Sequence, residues 1–215
     1  MLAASVLLAV AACDGEDTGG GADDANGGST GRRGGDPTQV LTAAQVKAAL
    51  PTASDVGPLA PLDNSDGTAH AFTGRAAVTS QCGSDAVEDE DVEGLAPCRG
   101  MTASGYIYYR DPDAPNCDGD SDCSVVFRIG AYESRDAARD AFGLVSREAS
   151  MYGETAGTRA FGNESDLYGP HGAALVFRVG TVVATALNDD DSGVDLAGAE
   201  KLAAAFEARV RKQFG

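Results

Sequence analysis

Few of the 215 residues carry types that do chemistry, and they are led by five cysteines and two histidines. Cys82, Cys98, Cys117 and Cys123 form an even set, as two disulfides in an oxidising compartment require, with Cys13 left over near the start. Three connectivities are open. The short separation favours Cys117 with Cys123, leaving Cys82 with Cys98, and each closure would contribute about 2–3 kcal/mol. Zinc would call for a C-x2-C spacing, which is missing, and His70 and His171 stand in no ligand pattern, so no metal ligand and no cofactor is assigned. The run Asp118-Gly119-Asp120-Ser121-Asp122 begins like a calcium loop. Cys123 and Ile129 then occupy the positions where that loop needs Gly and a bidentate Glu, so a polar turn between strands is expected. For a nucleophile, only the two histidines are available as bases. His171 lies in Tyr168-Gly169-Pro170-His171-Gly172 with no G-x-S-x-G nearby, and no catalytic residue is assigned. Carboxylate pairs are uninformative among 33 acids.

The charge balance, 33 acidic against 16 basic residues, gives a net −17, a field that repels nucleic-acid phosphates and anionic headgroups. Nucleic acid is therefore excluded as a partner. Of the hydrophobic residues, 38 are alanine, so packing must rest on a small number of large side chains.

Residues Leu2 to Ala12 form an eleven-residue apolar run, where a membrane-spanning helix needs about 20. The run suits the h-region of a secretory signal over residues 1–12 and ends in small residues. Val10-Ala11-Ala12-Cys13 resembles the lipobox of bacterial lipoproteins, a resemblance that implies a diacylglycerol on the Cys13 thiol and a mature chain beginning there. No Lys or Arg precedes Arg32, which departs from the usual basic n-region. From Asp14 to Thr38 nine glycines and no apolar side chain beyond alanine give a segment unable to bury a core. Residues 13–40 are thus expected to be a lipidated cysteine and a disordered tether, whose 25 or so residues would span roughly 25–30 Å. A single domain is expected over residues 41–215.

That domain opens with a helix capped by Thr42 and Gln45, stapled by Leu41 and Val46, and stopped before Pro51. Loop-rich residues 52–68 precede a modest strand over Ala71–Thr79, and the acidic run from Glu88 to Glu93 reads as a solvated loop. Dense β-branched and aromatic content predicts strands over Gly105–Arg110 and Ser124–Tyr132. Tyr106, Tyr108 and Tyr109 fall on both faces of the first, one face for the core and the other open to packing or to a ligand. Helical spacing of Ala138, Ala141, Phe142, Val145 and Ala149 predicts an amphipathic helix over Arg135–Met151. Ala173–Leu187 is read as a hairpin turning near Val179-Gly180, and Leu196–Phe214 as a closing helix with Arg209, Arg211 and Lys212 near its C-terminus. Val125-Val126-Phe127-Arg128-Ile129-Gly130 is echoed fifty positions on by Leu175-Val176-Phe177-Arg178-Val179-Gly180, with arginine in the same phase. Similar demands on two strands of one sheet explain such an echo.

These elements predict an α+β domain, an antiparallel sheet of about four to five strands with the two long helices packed on one face. The whole chain resembles small actinobacterial lipoproteins, and the layout of residues 124–214 resembles the extracellular sensor domains of actinobacterial serine/threonine kinases. The resemblance implies a non-enzymatic binding or sensing module on the extracytoplasmic face of the cell membrane. It would be held there by Cys13 and would meet a small ligand or an envelope protein. A secreted envelope hydrolase and a purely structural envelope component are the alternatives.

Overall fold

The computed structural model describes residues 36–61, 69–74, 76–77, 96–110, 124–154, 160–169, 174–188 and 196–215. Helix α1 (Ala43–Ala49) has the expected capping box, with the Gln45 amide donating to the Thr42 hydroxyl and the Gln45 side chain accepting from the Thr42 amide. Short strands β1 (Ala60–Pro61) and β2 (His70–Thr73) follow, then the long pair β3 (Met101–Arg110) and β4 (Ser124–Tyr132). Helix α2 (Arg135–Ala149) is capped by Ser134, whose hydroxyl accepts from the Ala137 amide. Strands β5 (Glu164–Tyr168), β6 (Ala174–Val179) and β7 (Val182–Asn188) lead into helix α3 (Leu196–Lys212). The sheet is antiparallel and seven-stranded, in the order β1-β3-β4-β7-β6-β5, with β2 also paired to β3.

Three expectations need correction. Among the described residues the sheet has seven strands where four to five were expected, because the two-residue β1 and the polar edge strand β5 are too short or too polar to stand out. The expected strand Ala71–Thr79 ends at Thr73. More consequentially, the two long helices lie on opposite faces. Helix α3 buries Leu202, Ala203, Phe206 and Val210 with Ile107, Phe127, Ile129, Leu175 and Phe177, on the face that α1 also covers. Phe206 sits edge-on to both Phe127 and Phe177, with ring centroids 5.4 and 5.3 Å apart. Helix α2 instead buries Ala138, Ala141 and Ala149 against Ala174, Val176 and Val183, whose side chains alternate with the first set. Two-sided cover explains why β6 is buried at every position.

Small residues set the close approaches. A Cβ on Gly105 would stand 2.6 Å from the His70 carbonyl oxygen and 3.0 Å from the Val46 side chain, so glycine lets α1 and β2 close over β3. Gly180, at φ +61°, opens the two-residue turn between β6 and β7 at the expected place.

Candidate functional site

The two arginines of the echoed strand motif point to the same face of the sheet, the one α2 partly covers, because the register joins Arg128 to Thr185 and Arg178 to Val183. Their surroundings differ. Arg178, 2% exposed, has all five guanidinium N–H donors engaged. Nε and Nη2 donate to the Glu164 carboxylate, each at 3.2 Å, while Nη1 and Nη2 donate to Asp36 at 3.1 and 3.2 Å. Nη1 also reaches the Gly180 carbonyl at 2.6 Å. Burial by itself would lower the Arg178 pKa, but the hydrogen bonds and charges of Asp36 and Glu164 outweigh it and hold the group above its usual value. It stays a cation.

This clamp fixes where the chain enters the fold. The Thr181 hydroxyl donates to the Gln39 carbonyl at 2.5 Å, and Arg135 donates to the Asp36 carbonyl at 3.4 Å. A side chain at Gly180 would strike the Pro37 carbonyl at 2.5 Å. Asp36–Val40, counted above with the tether, therefore belong to the folded unit.

Arg128 lies on central strand β4, half-buried. Its cross-strand neighbours are Tyr106 on β3 and Thr185 on β7, neither of them acidic. Among the described residues its side chain has no hydrogen bond or ion pair. Tyr106 in turn stacks on His70, with centroids 5.1 Å apart and planes at 28°, and meets Tyr108 edge-on at 5.4 Å. Tyr106 and Tyr108 are both half-buried, whereas Tyr109, on the opposite face, is 1% exposed and donates to the Pro51 carbonyl at 3.0 Å. The tyrosine triplet thus divides between core and open face. His70, Tyr106, Tyr108, Arg128 and Thr185 form a polar, aromatic shelf spanning β2, β3, β4 and β7. Among the described residues helix α2 packs over β6 and β7, and Ala77, Pro97 and Cys98 close the Met101 end, so that the shelf is left half-buried.

One further cluster joins α2 to β5. The Ser146 hydroxyl donates to the Asp166 carboxylate and is 2.8 Å from the Tyr168 hydroxyl. Among the described residues this cluster joins Ser146, Asp166 and Tyr168, and it docks helix to strand. On the other side of the sheet Arg209 binds Asp55 at 3.1 Å and the Ala48 carbonyl at 2.6 Å. Burial alone would raise the Asp55 pKa. Hydrogen bonds from Thr52 and Arg209 overcome this and keep the carboxyl below its usual range.

Of the residues singled out in the sequence, Cys98 lies buried in a short 3-10 turn (Ala96–Cys98) beside α2. Cys13, Cys82, Cys117, Cys123, the acidic runs at 88–93 and 118–122, and His171 lie outside the described residues. No group of three or more His, Cys, Asp or Glu suited to a metal ion occurs among the described residues, and none of their helices is long and apolar enough to cross a membrane. The shelf was half legible. The tyrosines and the arginine echo stand out in the sequence, but the register that sets Arg128 between Tyr106 and Thr185 does not.

No family model matches this chain, and no curated protein matches it. Among solved structures it is similar to the crystal structure of the extracellular domain of PknH from Mycobacterium tuberculosis, at 14% identity. The match covers 81% of this chain and 98% of that one, with a TM-score of 0.47.

Proposed function

We propose that the protein is a lipid-anchored, non-enzymatic binding module on the extracytoplasmic face of the membrane, held by a diacylglycerol on Cys13. The observation that carries this reading is the clamp at Asp36. In the sequence a Gly-rich segment separates the apolar run and Cys13 from a fixed attachment point at Asp36, where Arg178 locks the incoming chain to the β6–β7 turn. A leader, a cysteine, a tether and a rigid mooring together make the plan of an anchored domain. The binding role is supported by the half-buried shelf of His70, Tyr106, Tyr108 and Arg128, a face with donors and rings to offer. Disulfides Cys82–Cys98 and Cys117–Cys123 belong to the same reading. What supports a disulfide at Cys98 is that it is buried at 2% and carries no titratable thiol.

The test is mass spectrometry on the protein extracted from its own membrane. The expected result is a chain starting at Cys13 with added diacylglycerol and the other four cysteines oxidised, together with a small molecule released only on denaturation. An unprocessed chain with free thiols would overturn the anchor, and the absence of any released molecule would overturn the binding role.

A further inference from the structure

Arg128 presents its guanidinium on the half-buried face of the sheet with no protein acceptor among the described residues, so its donors are left to solvent or to a ligand. Arg178 shows what this fold supplies when it means to satisfy such a group: two carboxylates and a carbonyl within 3.2 Å. At Arg128, in the same motif and on the same face, the neighbours are Tyr106 and Thr185 and the described residues supply no carboxylate.

We propose that the shelf binds a small organic oxyanion carried on a flat ring, with a carboxylate or phosphate gripped by Arg128 and the ring laid against Tyr106 and Tyr108. The fork of an arginine suits a planar or tetrahedral oxyanion. Hydroxyls of Tyr106, Tyr108 and Thr185 line the same face and can donate to the remaining oxygens. The protein's net charge of −17 repels every anion at long range, so a bare ion gains too little from one arginine. The ring is what makes the site selective, since it adds apolar contact with the tyrosines that repulsion does not cancel. The assignment deepens the binding role proposed above and rests on it.

The full chain in detergent is titrated with phenylphosphate, benzoate and inorganic phosphate, following tyrosine emission, which no tryptophan masks, and calorimetric heat. Phenylphosphate or benzoate is expected to bind, inorganic phosphate at least tenfold more weakly. Arg128→Met should weaken the ring-bearing probe tenfold or more and Arg128→Lys by less, while Arg147→Met, an exposed arginine on α2, leaves it unchanged. The relative strength of the two ring probes tells phosphate from carboxylate. Binding indifferent to Arg128→Met, binding of inorganic phosphate as tight as that of the ring probes (an adventitious ion only), or no binding of any probe would each overturn the assignment. The binding role fails separately, if the natively extracted protein releases no small molecule.

Discussion

Arg128 and Arg178 occupy the same place in two copies of one strand motif, fifty residues apart and on the same face of one sheet. One is 2% exposed with every donor used, and the other is half-buried with none used among the described residues. Sequence similarity therefore predicts the strand and its phase, while the role of the arginine depends on which segments come to meet it. At Arg178 these are the incoming chain at Asp36 and edge strand β5 at Glu164. At Arg128 they are the two central strands β3 and β7, which bring aromatic rings and hydroxyls.

The contrast can be broken by substitution. Arg178→Met strands two carboxylates, and because Asp36 and Glu164 are 24% and 33% exposed the cost falls at the low end for a broken buried pair, about 3 kcal/mol. Chemical denaturation would read this loss, and limited proteolysis would find new cleavage near Gln39. Gly180→Ala attacks the same clamp through the backbone. It forces an L residue to φ +61° and into the Pro37 carbonyl, for an expected loss of about 2 kcal/mol in the same denaturation assay.

A milder effect comes from acid and sharpens the comparison with a third arginine, Arg209. Asp55 has a folded-state pKa below its unfolded one, so the stability it lends is complete above the unfolded value and is lost as pH falls through the folded value. Asp55→Asn should therefore flatten the acid limb of the melting-temperature profile below about pH 4. Smallest of all, Arg128→Met should move the unfolding free energy by no more than about 0.5 kcal/mol, since no ion pair among the described residues is lost. Thr185→Glu offers Arg128 the carboxylate it lacks. It should gain up to about 1 kcal/mol and abolish probe binding, and a gain without loss of binding would separate the arginine from the site.

How much of this could be read beforehand follows from local physics. The α1 capping box, the span of α2 and the β6–β7 turn are set by residues within a few positions of each other, and all lie where expected. The placement of α2 and α3 on opposite faces is a non-local outcome. A signal for it existed in the apolar runs Val125–Phe127 of β4 and Ala174–Phe177 of β6, each ahead of its arginine, which an alternating, one-sided sheet would not show. Edge strand β5, with its Glu164-Ser165-Asp166 start, carried no such signal, because its polar side chains serve Arg178 and Ser146 and contribute little to a core. The candidate shelf showed only in part: its tyrosines and Arg128 stand out in the sequence, but its members are scattered over four strands between positions 70 and 185, and only the register brings them together.

The mooring at Asp36 also has a mechanical meaning. Any pull arriving along the chain from upstream of Asp36 meets the guanidinium of Arg178 before it meets the sheet, and is divided among several short hydrogen bonds on β6, β5 and the turn. The strand pairs behind that point carry load only after those bonds give way. The contact is therefore a fuse, one that would part first under tension, release Asp36–Val40 and leave the folded sheet intact.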